Sequence, residues 1–370
     1  MFVLIVGDND GARKGLEQAV ADLDLAWQIE LATDADAAQR IADAHTVDVA
    51  AIDLRAPGVD GPKLLDAIRA RHPGVVRILL IDESKHHDAM RVLDCAHRFL
   101  NKPLRAEELI DAVESVGELR EILDSPQLKA LIGNIGELPS APNLYLKLNQ
   151  VLADPDAPAG AAANLVAQDP AMASKVLRLC NSAFFSGGRS VSDIRTAVVR
   201  LGQENLRRLV LASEVFSGGP QGNTAEREAM QQRALRSSQL AGRLLAGSSA
   251  ELAATAALLS DVGLLLPGVS NSSTNGSGGA PNTGPHYAEA GAYLLGLWGL
   301  PMPIVEAVAS HHQPGKSRSR GFWVGGAVHV ARALTAGEDV DEKYLETVGL
   351  RDRLPAWRKM AEDMATAAAA

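Results

Sequence analysis

Cysteine is nearly absent, basic charge is outnumbered and long apolar runs are interrupted in this 370-residue chain. Its two cysteines, Cys95 and Cys180, lie far apart in apolar helical contexts, which speaks against a disulfide framework and for reduced intracellular thiols. Lys and Arg total 36 against 45 Asp and Glu, a formal charge of -9. The basic footprint of a nucleic-acid binder is therefore missing at whole-chain level. The apolar stretch Ala253–Leu266 is broken by Ser260 and Asp261 and falls short of the roughly 18 to 20 residues of a membrane span. The opening MFVLIVGDND has no positive flank, which argues against a secretory signal or anchor. A cytoplasmic protein with no membrane partner is expected.

What is present is an ordinary globular composition, 46% hydrophobic and 22% charged, at a length that calls for two or three domains. Over Met1–Gly117, short β-branched runs at Phe2–Val6, Trp27–Leu31, Val47–Asp53, Val76–Ile81 and Arg98–Leu100 alternate with Ala/Leu/Arg patterns of helical spacing. That alternation is the signature of a parallel sheet covered by helices. Beyond Gly117 the strand signal vanishes and the periodic segments are helical. Glu118–Leu123 continues the preceding helix toward a breaker at Asp124-Ser125-Pro126, a linker by composition. Residues 268–284, GVSNSSTNGSGGAPNTG, hold almost no large apolar side chains and read as a flexible surface insertion.

In an open α/β sheet the residues just after each strand face the binding crevice. Asp8 follows the first strand, Asp53 closes the third, and Lys102 stands in FLNKP at the fifth. Carboxylates are hard ligands suited to Mg²⁺, and one of them can take a phosphoryl group while a lysine balances its charge. On VGD, AIDLRAPGVDG and FLNKP, the segment Met1–Val116 resembles the receiver domain of two-component response regulators. The resemblance implies a flavodoxin-like (βα)5 fold with Asp53 as phosphoacceptor. It further implies Asp8, Asp53 and the Arg55 carbonyl as a weak Mg²⁺ site, Lys102 as phosphate partner and Phe99 as switching aromatic. Two residues depart from the pattern: Gly7 replaces one of the paired acids, and Ile81 stands where a Ser or Thr hydroxyl is expected. Both a phosphorylated switch and a pseudo-receiver used for docking or dimerisation stay open.

In the helical half, Asp169 precedes Pro170, a helix start that places Val176, Leu177 and Cys180 at helical spacing. On QDP, LRLCNSA, IRTAV, LGQENLRRLV, LLSDVG, HYAEAGAYLLGLWGLP and ASHHQP, this half resembles the HDOD domain, a signalling relative of HD-type phosphohydrolases. A binuclear HD site needs several imidazoles and a bridging carboxylate. Here the adjacent His-Asp pair reads Ser260-Asp261, and Ser237 stands for the upstream histidine. Asp261, His286, His311 and His312 are what remains of such a site. The shared helix face of Ile304, Val308 and His311 favours a hydrogen-bonded interior role for that histidine. The Arg207-Arg208 pair and the run Lys316–Arg320 read as solvated charge.

The resulting plan is a receiver over 1–117, a linker helix over 118–127, an HDOD domain over 128–334 containing the 268–284 insertion, and a C-terminal helical extension over 335–370. The expected function is that of a bacterial response regulator. Its receiver controls a non-catalytic output domain acting through protein or ligand binding, with Mg²⁺ in the receiver and no cofactor assigned to the HDOD domain. The alternative is a metal-dependent phosphohydrolase with a degenerate site. Implied partners are a histidine kinase, an unidentified signalling protein and a second copy of the chain. Nucleic acid is not an expected partner, since Ala171–Ala183 offers only Lys175 and Arg178 amid apolar neighbours.

Overall fold

Five apolar runs form one sheet in the computed structural model: β1 (Phe2–Val6), β2 (Gln28–Ala32), β3 (Val49–Asp53), β4 (Val76–Asp82) and β5 (Arg98–Lys102). Their order is β2-β1-β3-β4-β5 and every pairing is parallel. This is the doubly wound flavodoxin-like arrangement, whose crossover connections place helices on both faces. β1 and β3 are accordingly buried at every residue, as expected of central parallel strands. The described residues are 1–7, 10–53, 59–82, 96–102, 104–133, 147–148, 151, 159–181, 190–202, 206, 224–270 and 284–369.

Helices α1 (Asp10–Asp22), α2 (Ala35–Ala44), α3 (Gly61–Arg71) and α4 (Ala106–Ile122) flank the sheet. Two of them start where an aspartate can accept an otherwise orphan N–H. Asp34 accepts from Ala37 N at 2.7 Å, and Asp60 from Lys63 N at 3.2 Å. α4 ends at Leu123, and α5 (Pro126–Gly133) begins at the breaker proline. Buried Arg77 of β4 donates to the Gly133 carbonyl at 2.9 Å and meets His97 at 3.1 Å. Burial beside that guanidinium holds His97 well below the usual imidazole range.

Two units emerge, one of Met1–Glu137, Arg178–Ser190 and Gly296–Gly299, the other of Leu138–Leu177, Val191–Leu295 and Leu300–Ala370. Within the first, Arg98 of β5 donates to the carbonyls of Ala112, Gly296 and Leu297 at 2.8, 2.8 and 2.9 Å.

The remaining described elements are helical: α6 (Ala159–Val166), α7 (Pro170–Cys180), α8 (Thr224–Leu244), α9 (Ser248–Leu259), α10 (Tyr287–Leu297), α11 (Met302–Ser310), α12 (Val324–Ala336), α13 (Glu342–Thr347) and α14 (Leu354–Ala369). Asp169 caps α7 by accepting from Ala171 N and Met172 N at 2.8 and 3.0 Å. Cys180 is a buried thiol at its end; Cys95 lies outside the described residues.

α8, α9 and α12 pack on one another, and α11 lies against α9 and α12. Ala253, Ala256 and Ala257 of α9 are fully buried there, small side chains that let helix axes approach closely. Ser248–Leu265 has a mean hydropathy of 1.2 over 18 residues, enough for a membrane span by length and composition. The interruption at Ser260-Asp261 therefore does not lower the hydropathy as far as the sequence reading implied. The segment is nevertheless α9 followed by a 3-10 turn at Val262–Leu265, with 56% of it buried.

The two ends of the 268–284 stretch are tied together. Ser270 N donates to Pro285 O at 2.8 Å and Tyr287 N to Ser270 O at 3.0 Å. Residues 271–283 lie outside the described residues. A stacked Phe322–Trp357 pair, ring centroids 5.2 Å apart, joins a local cluster with Leu345 and Leu354 that anchors the C-terminal helices.

Candidate functional site

Two buried aspartates mark two candidate sites. In the sheet, Asp53 ends β3 with 3% of its surface exposed, and Lys102 at the end of β5 donates from Nζ to its Oδ2. Phe99 is buried on β5. Asp8 and Arg55 lie outside the described residues. Gly7 adopts φ 121°, a region L side chains rarely enter, and donates to Ala32 O at 2.8 Å. The glycine is thus required by the backbone as well as being one acid fewer.

Register corrects the expectation about Ile81. Asp53 pairs with Leu80, and side chains alternate between sheet faces along a strand. Ile81 therefore belongs to the face opposite Asp53 and cannot stand beside it. Residue 82, two positions beyond Leu80, is an aspartate whose backbone is in register with Lys102. No hydroxyl stands there either, so the departure from the pattern persists at a different residue. The apolar run ILLI hides where the strand ends.

The second site is in the helical unit. Asp261, 2% exposed, sits between α9 and the 3-10 turn. Its Oδ1 accepts from Arg332 Nε at 2.9 Å and its Oδ2 from Arg233 Nε at 3.2 Å. Arg332 in turn donates from Nη1 to Glu338 Oε2 at 2.6 Å. A Cβ on Gly263 would lie 1.9 Å from the Tyr287 carbonyl oxygen, so only glycine lets the turn come this close to the start of α10. That approach brings the Tyr287 hydroxyl to 3.4 Å from Asp261, 3.1 Å from His311 Nε2 and 2.6 Å from His312 Nε2.

Proton counting orders this cluster. His311 Nδ1 faces the Val308 carbonyl at 2.7 Å, an acceptor only, so Nδ1 carries the proton. Burial, with His312 and Arg332 adding to it, pushes His311 down to about 3, leaving Nε2 as an acceptor at neutral pH. Tyr287 has a single proton, so it donates to one imidazole and accepts from the other. His312 is likewise held at about 4, chiefly by burial, and burial lowers His286. His286 and His312 stand edge to face with centroids 5.3 Å apart. Burial alone would raise the Asp261 carboxyl, yet Arg332, His311 and Arg233 together hold it below the usual range.

The two serines complete the picture. Ser237, 1% exposed on α8, has a hydroxyl with no hydrogen-bond partner among the described residues. Ser260 donates to its own helix at Ala257 O, 2.9 Å. Among the described residues no group of three His, Cys, Asp or Glu is arranged to hold a metal ion. The donor set does not fit a metal: both Asp261 oxygens are engaged by guanidinium groups.

The family model of the response regulator receiver domain matches residues 3–114, and that of the HDOD domain matches residues 138–270. The probable transcriptional regulatory protein NarL of Mycobacterium tuberculosis is 30% identical over 159 residues, 40% of this chain and 71% of that protein. The chain belongs to the response regulators. It joins a receiver to an HDOD domain.

An uncharacterized protein of Treponema pallidum is 27% identical over 203 residues, 50% of this chain and 39% of that protein, so this response regulator spans well under half of that relative. Among solved structures, the MmoQ response regulator of Methylococcus capsulatus matches with a TM-score of 0.46 and 20% identity, covering 60% of this chain and 98% of that one.

Of the residues named from sequence, the structure brings Asp261, His286, His311 and His312 together; Arg233, Arg332, Tyr287 and Glu338 were missed. A signal existed for Arg332, the only arginine or acid in VGGAVHVARALTA, since a lone charge on an apolar helix calls for a buried counter-charge. Arg233 precedes Ser237 by one helical turn, on the same face. Of the basic segments, Arg207 and Arg208 lie outside the described residues, and Arg318 N and Ser317 Oγ bond Glu306. Lys175 and Arg178, the only basic residues of α7, are both 2% exposed, which leaves that helix without a basic face.

Proposed function

We propose that the receiver, acting through Asp53, governs how a non-catalytic HDOD output domain meets a signalling protein. The observation that carries the non-catalytic part is the Asp261 carboxylate closed by Arg332 and Arg233. Internal guanidinium groups fill the place a catalytic cation would need, and they do so with Ser237 and Ser260 at imidazole positions. Metal analysis of the purified protein tests this. Substoichiometric Mn, Fe and Zn are expected, whereas a stoichiometric metal lost in Asp261→Ala overturns it.

For the receiver, Asp8, Asp53 and the Arg55 carbonyl are the oxygen ligands that would hold Mg²⁺, which when bound offsets phosphoryl charge. This chain's own contribution is Lys102, whose ammonium holds Asp53 in the unphosphorylated state and is free to turn to an added phosphoryl oxygen. A histidine kinase is the implied donor. Incubation with acetyl phosphate should label wild type and not Asp53→Ala; equal labelling, or none in either, leaves a pseudo-receiver that docks or dimerises.

A second reading, a degenerate phosphohydrolase, draws on His286, His311 and His312 clustering as neutral imidazoles. The same metal analysis separates the two. NarL is a transcriptional regulator by name, but the buried Lys175 and Arg178 favour a protein partner here. The HDOD domain is proposed to continue past residue 270 to 334, because α12 packs on both α8 and α9. The sheet and its extension are proposed to divide at 117 and 127, and the C-terminal extension to begin at 335. A cytoplasmic setting fits such a regulator.

A further inference from the structure

A cleft of about 360 Å³ opens between α8, the end of α12 and α14. That volume falls in the range of small-molecule sites. Its walls are of two kinds. Leu240, Leu334, Ala361 and Met364 supply an apolar side, while Arg236 of α8 and Arg358 of α14 bring two guanidinium groups from different helices.

Arg236 is the anomaly. Its Nε is sealed from solvent with no acceptor, and among the described residues its guanidinium makes no hydrogen bond or ion pair. A buried donor left unmatched is costly, more so on a charged group. The three acids at the cleft do not relieve it. Glu338 is committed to Arg332 at 2.6 Å, and Asp339 and Glu362 are exposed and form no pair with Arg236. Arg358 is held only loosely, 3.7 Å from Glu342, with half its side chain in solvent.

We infer that this cleft binds a small organic oxyanion, its carboxylate or phosphate meeting Arg236 and Arg358 and its apolar body covering the half-buried Leu334, Ala361 and Met364. Guanidinium groups match such oxyanions with forked, charge-assisted hydrogen bonds. The apolar wall excludes a bare inorganic ion as the best occupant, because it offers such an ion nothing. The inference deepens the reading of the output domain as a binding module and rests on it. Through Glu338 and Arg332 the cleft wall is continuous with the residues that hold Asp261.

Phenyl phosphate carries both features and is the probe, with inorganic phosphate as its control. Calorimetric titration of the full chain should give saturable binding of phenyl phosphate, at least ten-fold tighter than inorganic phosphate. Arg236→Gln should weaken it ten-fold or more, and Ala361→Trp, which fills the cleft from the other side, should do the same. Circular dichroism checks that both variants are folded. No saturable binding by wild type at millimolar probe, or equal affinity in a folded Arg236→Gln or Ala361→Trp, overturns the inference. Equal affinity for inorganic phosphate overturns the apolar half of it. None of these failures touches the protein-contact reading, which stands or falls on metal content and Asp53 labelling.

Discussion

Asp53 and Asp261 are both buried aspartates paired with cations, yet the pairs are built differently. Among its described partners Asp53 has a lysine whose side chain is 35% exposed. Asp261 meets two arginines, and Arg332, 8% exposed, is pinned at its far end by Glu338. An ammonium on a flexible stem can leave its partner for another anion at little cost, whereas a guanidinium fork fixed at both edges cannot. One carboxylate is therefore exchangeable and the other locked, which fits the proposal of a switch in the sheet and a closed carboxylate in the helical unit.

The comparison breaks most visibly at Arg332. Arg332→Ala leaves buried Asp261 with Arg233 alone and should cost about 3 kcal/mol in urea unfolding, the low end for a broken buried pair. Loss of under 1 kcal/mol would mean the pair is not locked.

Protonation offers a second probe of the helical side. Burial holds His311 at about 3 in the fold, while an unfolded imidazole titrates near 6.5. The unfolded state therefore binds more protons below that value, and stability falls as pH drops. From pH 7 to 5, His311 alone should remove about 2 kcal/mol, and His311→Gln should flatten that slope. The lowered Asp261 carboxyl is silent in this window, because its contribution is lost only below the ordinary carboxylate range.

On the sheet side, Gly7→Asp restores an acid to the pattern but forces φ 121° on an L residue. It should destabilise by about 1–3 kcal/mol without strengthening Mg²⁺ binding; a tighter Mg²⁺ response in a stable variant would contradict the strain. The smallest effect is expected at Lys102→Ala, about 0–1 kcal/mol, since a partly exposed pair contributes little. If Lys102→Ala proves as damaging as Arg332→Ala, the two sites are not different in kind.

Much of the fold was legible because central parallel strands are buried on both faces and read as unbroken apolar runs. Phe2–Val6 and Asp53 fall where the runs put them. Register was less legible. An apolar run does not reveal which face each residue takes, so Ile81 was read for a position that belongs to residue 82. The candidate acids and imidazoles of the helical site could be found from the family resemblance. Their arginine partners could not, because Arg332 and Asp261 meet across 71 residues of chain and no local period encodes such a contact.

The most direct test of the locked carboxylate is a double-mutant cycle on Asp261 and Arg332, using Asn and Met respectively, read by urea unfolding. A coupling of about 2–3 kcal/mol is predicted for contacting buried charges. A coupling near zero, with Asp261→Asn and Arg332→Met simply additive, would contradict it.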